Sequence, residues 1–153
     1  MQNAALIYPV LAQVFLTVAL MVLMAVKRVG GAQARRYKVR DIAVDNRNYP
    51  ADLIKYGNAY SNQFELPVLF YLWCVLLMIT GQAGSQWYIA LAWAFVAMRY
   101  VHAFIHVTSN HVIRRFYAFL ASAIILLIMW VHYTASFVIF NALLSVFYEF
   151  FKS

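Results

Sequence analysis

FYAFLASAIILLIMWVHYTASFVIF, residues Phe116 to Phe140, carries no Asp, Glu, Lys or Arg. It is longer than the roughly 20 residues that an α-helix needs to cross the hydrocarbon core of a bilayer. A helix is also the one open-ended element that satisfies its own backbone hydrogen bonds in that medium. Working outward from this stretch, three further apolar runs stand out: Ala4 to Val26, Phe64 to Thr80, and Trp87 to Val107. The expected spans are about 4–26, 59–80, 86–108 and 113–140, joined by one sizeable loop over about 27–50. Across all 153 residues the chain is 65% hydrophobic and 11% charged, far from the roughly 45–50% apolar and roughly 25% charged mix of soluble domains. The fold class is all-α, an integral membrane four-helix bundle. A single domain over 1–153 leaves no room for a separate soluble unit.

The net charge of +7 is placed by topology. Eight of the twelve Lys and Arg residues, from Lys27 to Lys55, fall between the first two spans, and Arg114 and Arg115 fall between the last two. The turn from Gly81 to Gln86 is uncharged, and the C-terminal tail has only Glu149 and Lys152. The positive-inside rule then puts the first and third loops in the cytoplasm and both termini outside. No nucleic-acid motif accompanies the charge, and no nucleic-acid partner is expected. The first span lacks a basic stretch before it and is followed by Lys27 and Arg28, which reads as a retained anchor rather than a cleaved signal. With no organelle-retention signal in the chain, a bacterial inner membrane is the expected location. Cys74, the single cysteine, cannot form an intrachain disulfide and reads as a small core residue.

Gly30 and Gly31 are expected to free the chain to turn out of span one. Pro50 suits the first turn of a helix, so the second helix is expected to begin near Ala51, before the membrane. Lys55, Asn58, Asn62 and Glu65 follow at steps of three, four and three, a polar stripe on one helical face. Pro67 cannot donate to the Gln63 carbonyl, which predicts a kink or loosened turn just past Glu65. In the third span Arg99, His102, His106 and Asn110, at steps of three, four and four, make a second stripe.

A carboxylate within a membrane costs about 2.5–3.5 kcal/mol on insertion scales and faces a bundle interior or a watery cavity. Glu65 is therefore either half of a structural ion pair, above all with Arg99, or a site for a ligand ammonium group. His102 and His106, at i and i+4, have the spacing of two metal ligands on a helix. Glu65, His111 and Cys74 complete no recognised signature with them, so no metal is expected. The histidines are then bundle hydrogen-bonders or proton donors and acceptors beside a ligand. Arg114 and Arg115 are either snorkelling anchors or part of an anion-friendly pocket. Two polar stripes meeting at one membrane face suit an anionic cosubstrate from water and a hydrophobic acceptor from lipid.

The segment Asn58-Ala59-Tyr60-Ser61-Asn62-Gln63-Phe64-Glu65-Leu66-Pro67 resembles the second-helix motif of the MAPEG family, in which Arg, then Asn four residues later, then Glu three further on, precede a proline. Arg99-Tyr100-Val101-His102, with His106 and Arg115, is similar to the third-helix pattern of the prostaglandin-synthase branch. Asn58 stands where the motif has arginine, Tyr60 where it has a basic or amide residue, and His106 where it has tyrosine. The resemblance covers nearly the whole chain. It implies a homotrimer that binds glutathione as cosubstrate between subunits on the cytosolic side and contacts membrane lipid and a hydrophobic small-molecule acceptor. Carried over by position, Asn62 and Glu65 would hold the peptide and amine of glutathione, with Asn58, Arg99 and Lys55 in the same binding set. Arg115 would favour the thiolate, and His106 or His102 would move protons. Lys55, Arg47 and Arg99 are the cations at hand to offset a neutral Asn58. The function implied is a transferase or peroxidase acting on a lipid-dissolved electrophile or hydroperoxide. The alternatives are a non-catalytic lipid- or anion-binding protein of the same fold, favoured by Asn58, and a proton-coupled transporter built on Glu65, disfavoured by polar groups at one end rather than at the midplane.

Overall fold

The structure is a computed structural model, described for residues 5–43 and 45–152 and without the side chains of 146, 149 and 150. Five α-helices form among the described residues: α1 (Ile7–Gln33), α2 (Ala51–Ser61), α3 (Leu66–Ile79), α4 (Gln86–Val107) and α5 (Val112–Lys152). α2 and α3 together make one crossing, so four stretches are long and apolar enough to cross a membrane. Ala4, the expected start of the first span, lies outside the described residues. α5 packs chiefly along α4, and α1 along α2.

One expectation about a helix end is corrected. Gly30 and Gly31 do not release the chain. α1 runs on to Gln33, and the left-handed turn falls at Arg35, with φ 52°. Gly31 is needed for close approach instead: a Cβ there would lie 2.9 Å from Leu53 Cδ1 and 3.0 Å from Tyr37 Cε1. α5 continues as one helix from Val112 to Lys152.

The basic loop folds back on α2 rather than hanging free. Arg36 pairs with both oxygens of Asp52, at 3.0 and 2.7 Å. The Arg28 guanidinium lies 4.2 Å from the Tyr49 ring centroid, and Tyr37 donates to the Arg28 carbonyl at 2.5 Å. Arg47 beside Asp45 holds that carboxyl below the usual carboxylate range.

The core has two parts. Toward the α3–α4 turn, Phe70 stacks on Phe95 at 4.8 Å, and Trp73 meets Tyr88 edge-on while donating from Nε1 to the Met129 carbonyl at 3.0 Å. Cys74 is buried in this cluster. Toward the basic loop, Leu16, Leu20, Ala59 and Ala103 pack together. Between them lies a polar link across the bundle, in which buried Gln13 donates to Gln63 at 3.0 Å and Gln63 donates to the Ala59 carbonyl at 3.1 Å. Amide pairs between membrane helices contribute about 0.6–2 kcal/mol, and a partner left alone pays desolvation as well. Gln63→Leu is thus expected to destabilise by about 1–3 kcal/mol, with the added substitution Gln13→Leu recovering part of the loss; a double-mutant cycle by detergent unfolding checks it.

A candidate site at the polar end of the bundle

The second crossing breaks where proline denies it a donor. After α2, Asn62–Phe64 tighten into a 3-10 turn, Glu65 takes φ −100° and ψ −106°, and α3 restarts at Leu66 with Pro67 in its first turn. The break lies at Glu65 itself. Breaks of this kind free backbone carbonyls that hydrocarbon cannot satisfy. Arg99, 0% exposed on α4, donates from Nη2 to the Asn62 carbonyl at 2.9 Å and reaches Asn62 Oδ1 at 3.4 Å.

That bond corrects one expectation. No Glu65–Arg99 ion pair forms among the described residues. Arg99 holds Asn62, and Asn62 Nδ2 donates to Glu65 Oε1 at 3.4 Å. The carboxylate is left exposed at the mouth of a cleft.

The cleft, of about 440 Å³, lies between α2 and the junction of α4 with α5. Asn58, Asn62 and Glu65 line one wall, and His102, His106 and Arg115 the other. Two of the eight residues singled out in the sequence are not on its surface. Arg99 sits behind Asn62, and Lys55 donates from Nζ to the Thr108 carbonyl at 3.0 Å, tying α2 to the end of α4. Of the cations at hand to offset Asn58, Arg47 is engaged with Asp45 at 2.9 Å, so Arg115 is the cation that lines the cleft.

Asn110 also departs from the sequence stripe. α4 ends at Val107, and Asn110 adopts φ 50° beyond it. From there its Oδ1 accepts from Arg115 Nη1 at 2.7 Å and fixes the guanidinium. Sequence reasoning also missed Ser61, Val112, Phe116 and Phe119, which complete the lining. Ser61 lies three residues after Asn58, and Phe119 four after Arg115, so helical spacing would have found both.

The histidines are 3% and 2% exposed. His102 Nδ1 lies 3.0 Å from the Arg115 carbonyl. A carbonyl only accepts, so Nδ1 carries the proton, and in the neutral ring Nε2 keeps its lone pair. That Nε2, both ring nitrogens of His106, and Nε and Nη1 of Arg99 are buried without a hydrogen-bond partner. Buried polar atoms are ordinarily paired, and the nitrogens of His102 and His106, which line the cleft, are open to a polar group from outside the chain. Among the described residues no three His, Cys, Asp or Glu side chains converge to hold a metal ion. Phe116 and Phe119 add apolar surface to the lining, with the Phe119 ring 5.9 Å from that of His102 between centroids. The arrangement can hold a polar anion near Arg115 while an apolar molecule approaches past the phenylalanines.

Comparison with known proteins agrees with this architecture. The sequence model of the MAPEG family matches residues 6–135. Neither a curated protein nor a solved structure matches the chain. The match takes in the first three crossings, most of the fourth and every residue of the cleft, and the chain is an integral membrane protein belonging to the MAPEG family.

Proposed function

We propose that the protein is a membrane-embedded transferase or peroxidase that joins a cytosolic thiol, glutathione, to a hydrophobic electrophile or hydroperoxide dissolved in the bilayer. The observation that carries this reading is the cleft itself, where an amide-and-carboxylate wall faces buried, open-valenced histidines and a fixed arginine, with two phenylalanines in the same lining. Asn58, Asn62 and Glu65 bind the peptide and ammonium parts of the thiol compound. Arg115 stabilises the thiolate, because a nearby cation favours the charged form of a thiol. His102 Nε2, with its lone pair free, accepts the thiol proton, and His106 relays it. In the transferase reaction sulfur attacks the electrophilic carbon, the C–S bond forms as the leaving group departs with its electron pair, and the proton passes to water. In the peroxidase reaction two thiols reduce one hydroperoxide to an alcohol and water and end as a disulfide. The active assembly is a homotrimer with this end of the bundle facing the cytoplasm.

The test is an ultraviolet scan of the detergent-purified protein mixed with glutathione, which should show thiolate absorbance at about pH 7, where the free thiol is mostly protonated. Asn58 favours a second reading, a binder of lipid or another anion, since a neutral amide replaces a charge-assisted clamp. Asn58→Arg separates the two. For a glutathione site it is expected to tighten binding about tenfold, equivalent to about 1.4 kcal/mol, in calorimetric titration. A lipid binder gives no heat with the thiol in either form.

A further inference from the structure

Beside the cleft lies a second cavity, of about 230 Å³, bounded by α1, the basic loop and α2. Asn58 and Ser61 line both spaces. Three residues apart, they form one ridge of α2, so the two cavities adjoin across it. Arg28, Asn46 and Tyr60 line the second cavity, and no Asp or Glu does. One cation among groups able to donate hydrogen bonds, with no carboxylate beside them, is a lining for an anion.

Arg28 is held there with its donors unused. Its guanidinium lies against the Tyr49 ring, the Tyr49 ring meets that of Tyr37 at 5.0 Å between centroids, and the Tyr37 hydroxyl donates to the Arg28 carbonyl. A guanidinium stacked by its face keeps its in-plane N–H groups for a bidentate carboxylate. The acids of the loop and of the start of α2, Asp41, Asp45 and Asp52, are each paired with another arginine. Among the described residues the Arg28 side chain makes no hydrogen bond or ion pair, and its Nε is buried without a partner.

Gly57 makes the room for this side chain. A Cβ there would lie 2.6 Å from Arg28 Nη2. Glycine is a poor residue for a helix interior, and α2 carries it where the guanidinium lies against the helix backbone. The spacing also fits a tripeptide. Glu65, which holds the ammonium group in the proposed reaction, follows Asn58 by seven residues, about 10 Å of helix at 1.5 Å per residue. A fully extended tripeptide is also about 10 Å long. With its amine at Glu65 and its backbone along Asn62 and Asn58, its far carboxylate arrives at the ridge beside Arg28.

We infer that Arg28 binds the carboxylate at the end of the thiol tripeptide remote from its amine, and that Gly57 is kept without a side chain so that the guanidinium can reach it. Built on the thiol reading of the cleft, this role asks for a substrate with an anion at that end. Calorimetric titration of the detergent-purified full chain with glutathione and with its glycyl monoethyl ester, which lacks that one negative charge, tests it. The unsubstituted protein is expected to bind glutathione about tenfold or more tighter than the ester, the size of one charge-assisted pair. Arg28→Gln is expected to abolish the preference by weakening glutathione alone. Gly57→Ala is expected to do the same without lowering the unfolding temperature, because alanine favours the helix and meets only the movable end of Arg28. Equal affinity for the two compounds in the unsubstituted protein, or a preference that survives Arg28→Gln, would overturn the proposal and leave the thiol site standing. No heat from either compound would overturn the thiol site itself, and this role with it.

Discussion

Arg115→Ala is expected to abolish the thiolate absorbance and to slow turnover on the order of 100-fold or more, while the protein keeps its assembly state and its α-helical content. The magnitude follows from what the guanidinium does in the proposed reaction. An unperturbed thiol, with a pKa of about 8.5, is only a few per cent ionised near neutrality, and removing one preorganised group that stabilises a reacting anion costs about 100- to 1,000-fold. Fold and function separate cleanly at this position. Arg115 is half-buried, its side chain is held by Asn110 at 2.7 Å, and the bond from His102 is to its backbone carbonyl. Alanine retains that carbonyl, so His102 keeps its tautomer. Single-turnover kinetics with size-exclusion chromatography check both halves. A variant that turns over at the full rate would remove Arg115 from the mechanism. Asn110→Ala leaves the charge and loosens its placement, and a smaller loss is expected from it.

Trp73→Ala is expected to cost about 3–5 kcal/mol of stability, as truncation of a buried aromatic does. Trp73 is 0% exposed and joins three crossings at once. It belongs to α3, meets Tyr88 of α4 at 5.3 Å between ring centroids, and donates to the Met129 carbonyl of α5. Lipid tails do not supply the solvent-driven burial that holds soluble cores together, so packing and interhelical hydrogen bonds carry more of the association. Trp73→Phe keeps most of the ring packing and loses the indole donor. About 0.5–1.5 kcal/mol is expected from it, the worth of one net hydrogen bond. Unfolding in mixed detergent, followed by the remaining tryptophans, measures both. Near-equal losses would show that the hydrogen bond rather than the packing holds α3 to α5.

Much of this architecture can be read in the sequence, because hydrocarbon imposes rules that act locally. A helix must be apolar for its crossing length, so the four crossings stand out as runs. Proline removes its donor wherever it sits, so Pro67 announces a break, which the structure places at Glu65. Pro50 likewise marks the start of α2 at Ala51. What the sequence hides depends on contacts between distant residues. Gly31 reads as a turn but is a helical residue kept small by Leu53 and Tyr37. Arg99 and Lys55 share helical faces with cleft residues, yet each is drawn to a main-chain carbonyl elsewhere, Asn62 and Thr108, that no periodicity reveals. Asn110 continues the spacing of Arg99, His102 and His106 after the helix has ended. The Gln13–Gln63 pair spans fifty positions of chain and has no local signature at all.

The bond from Arg99 to the carbonyl at the helix break has an evolutionary side. A guanidinium buried at this depth needs a carboxylate or a main-chain oxygen as partner, and here the broken helix offers it the oxygen. Pro67 and Arg99, on different helices, are thus joined in what selection can accept. Relatives that straighten the second crossing by losing the proline should also have exchanged the arginine for a neutral side chain. Those that keep the one should keep the other, and the pair should be inherited as a unit.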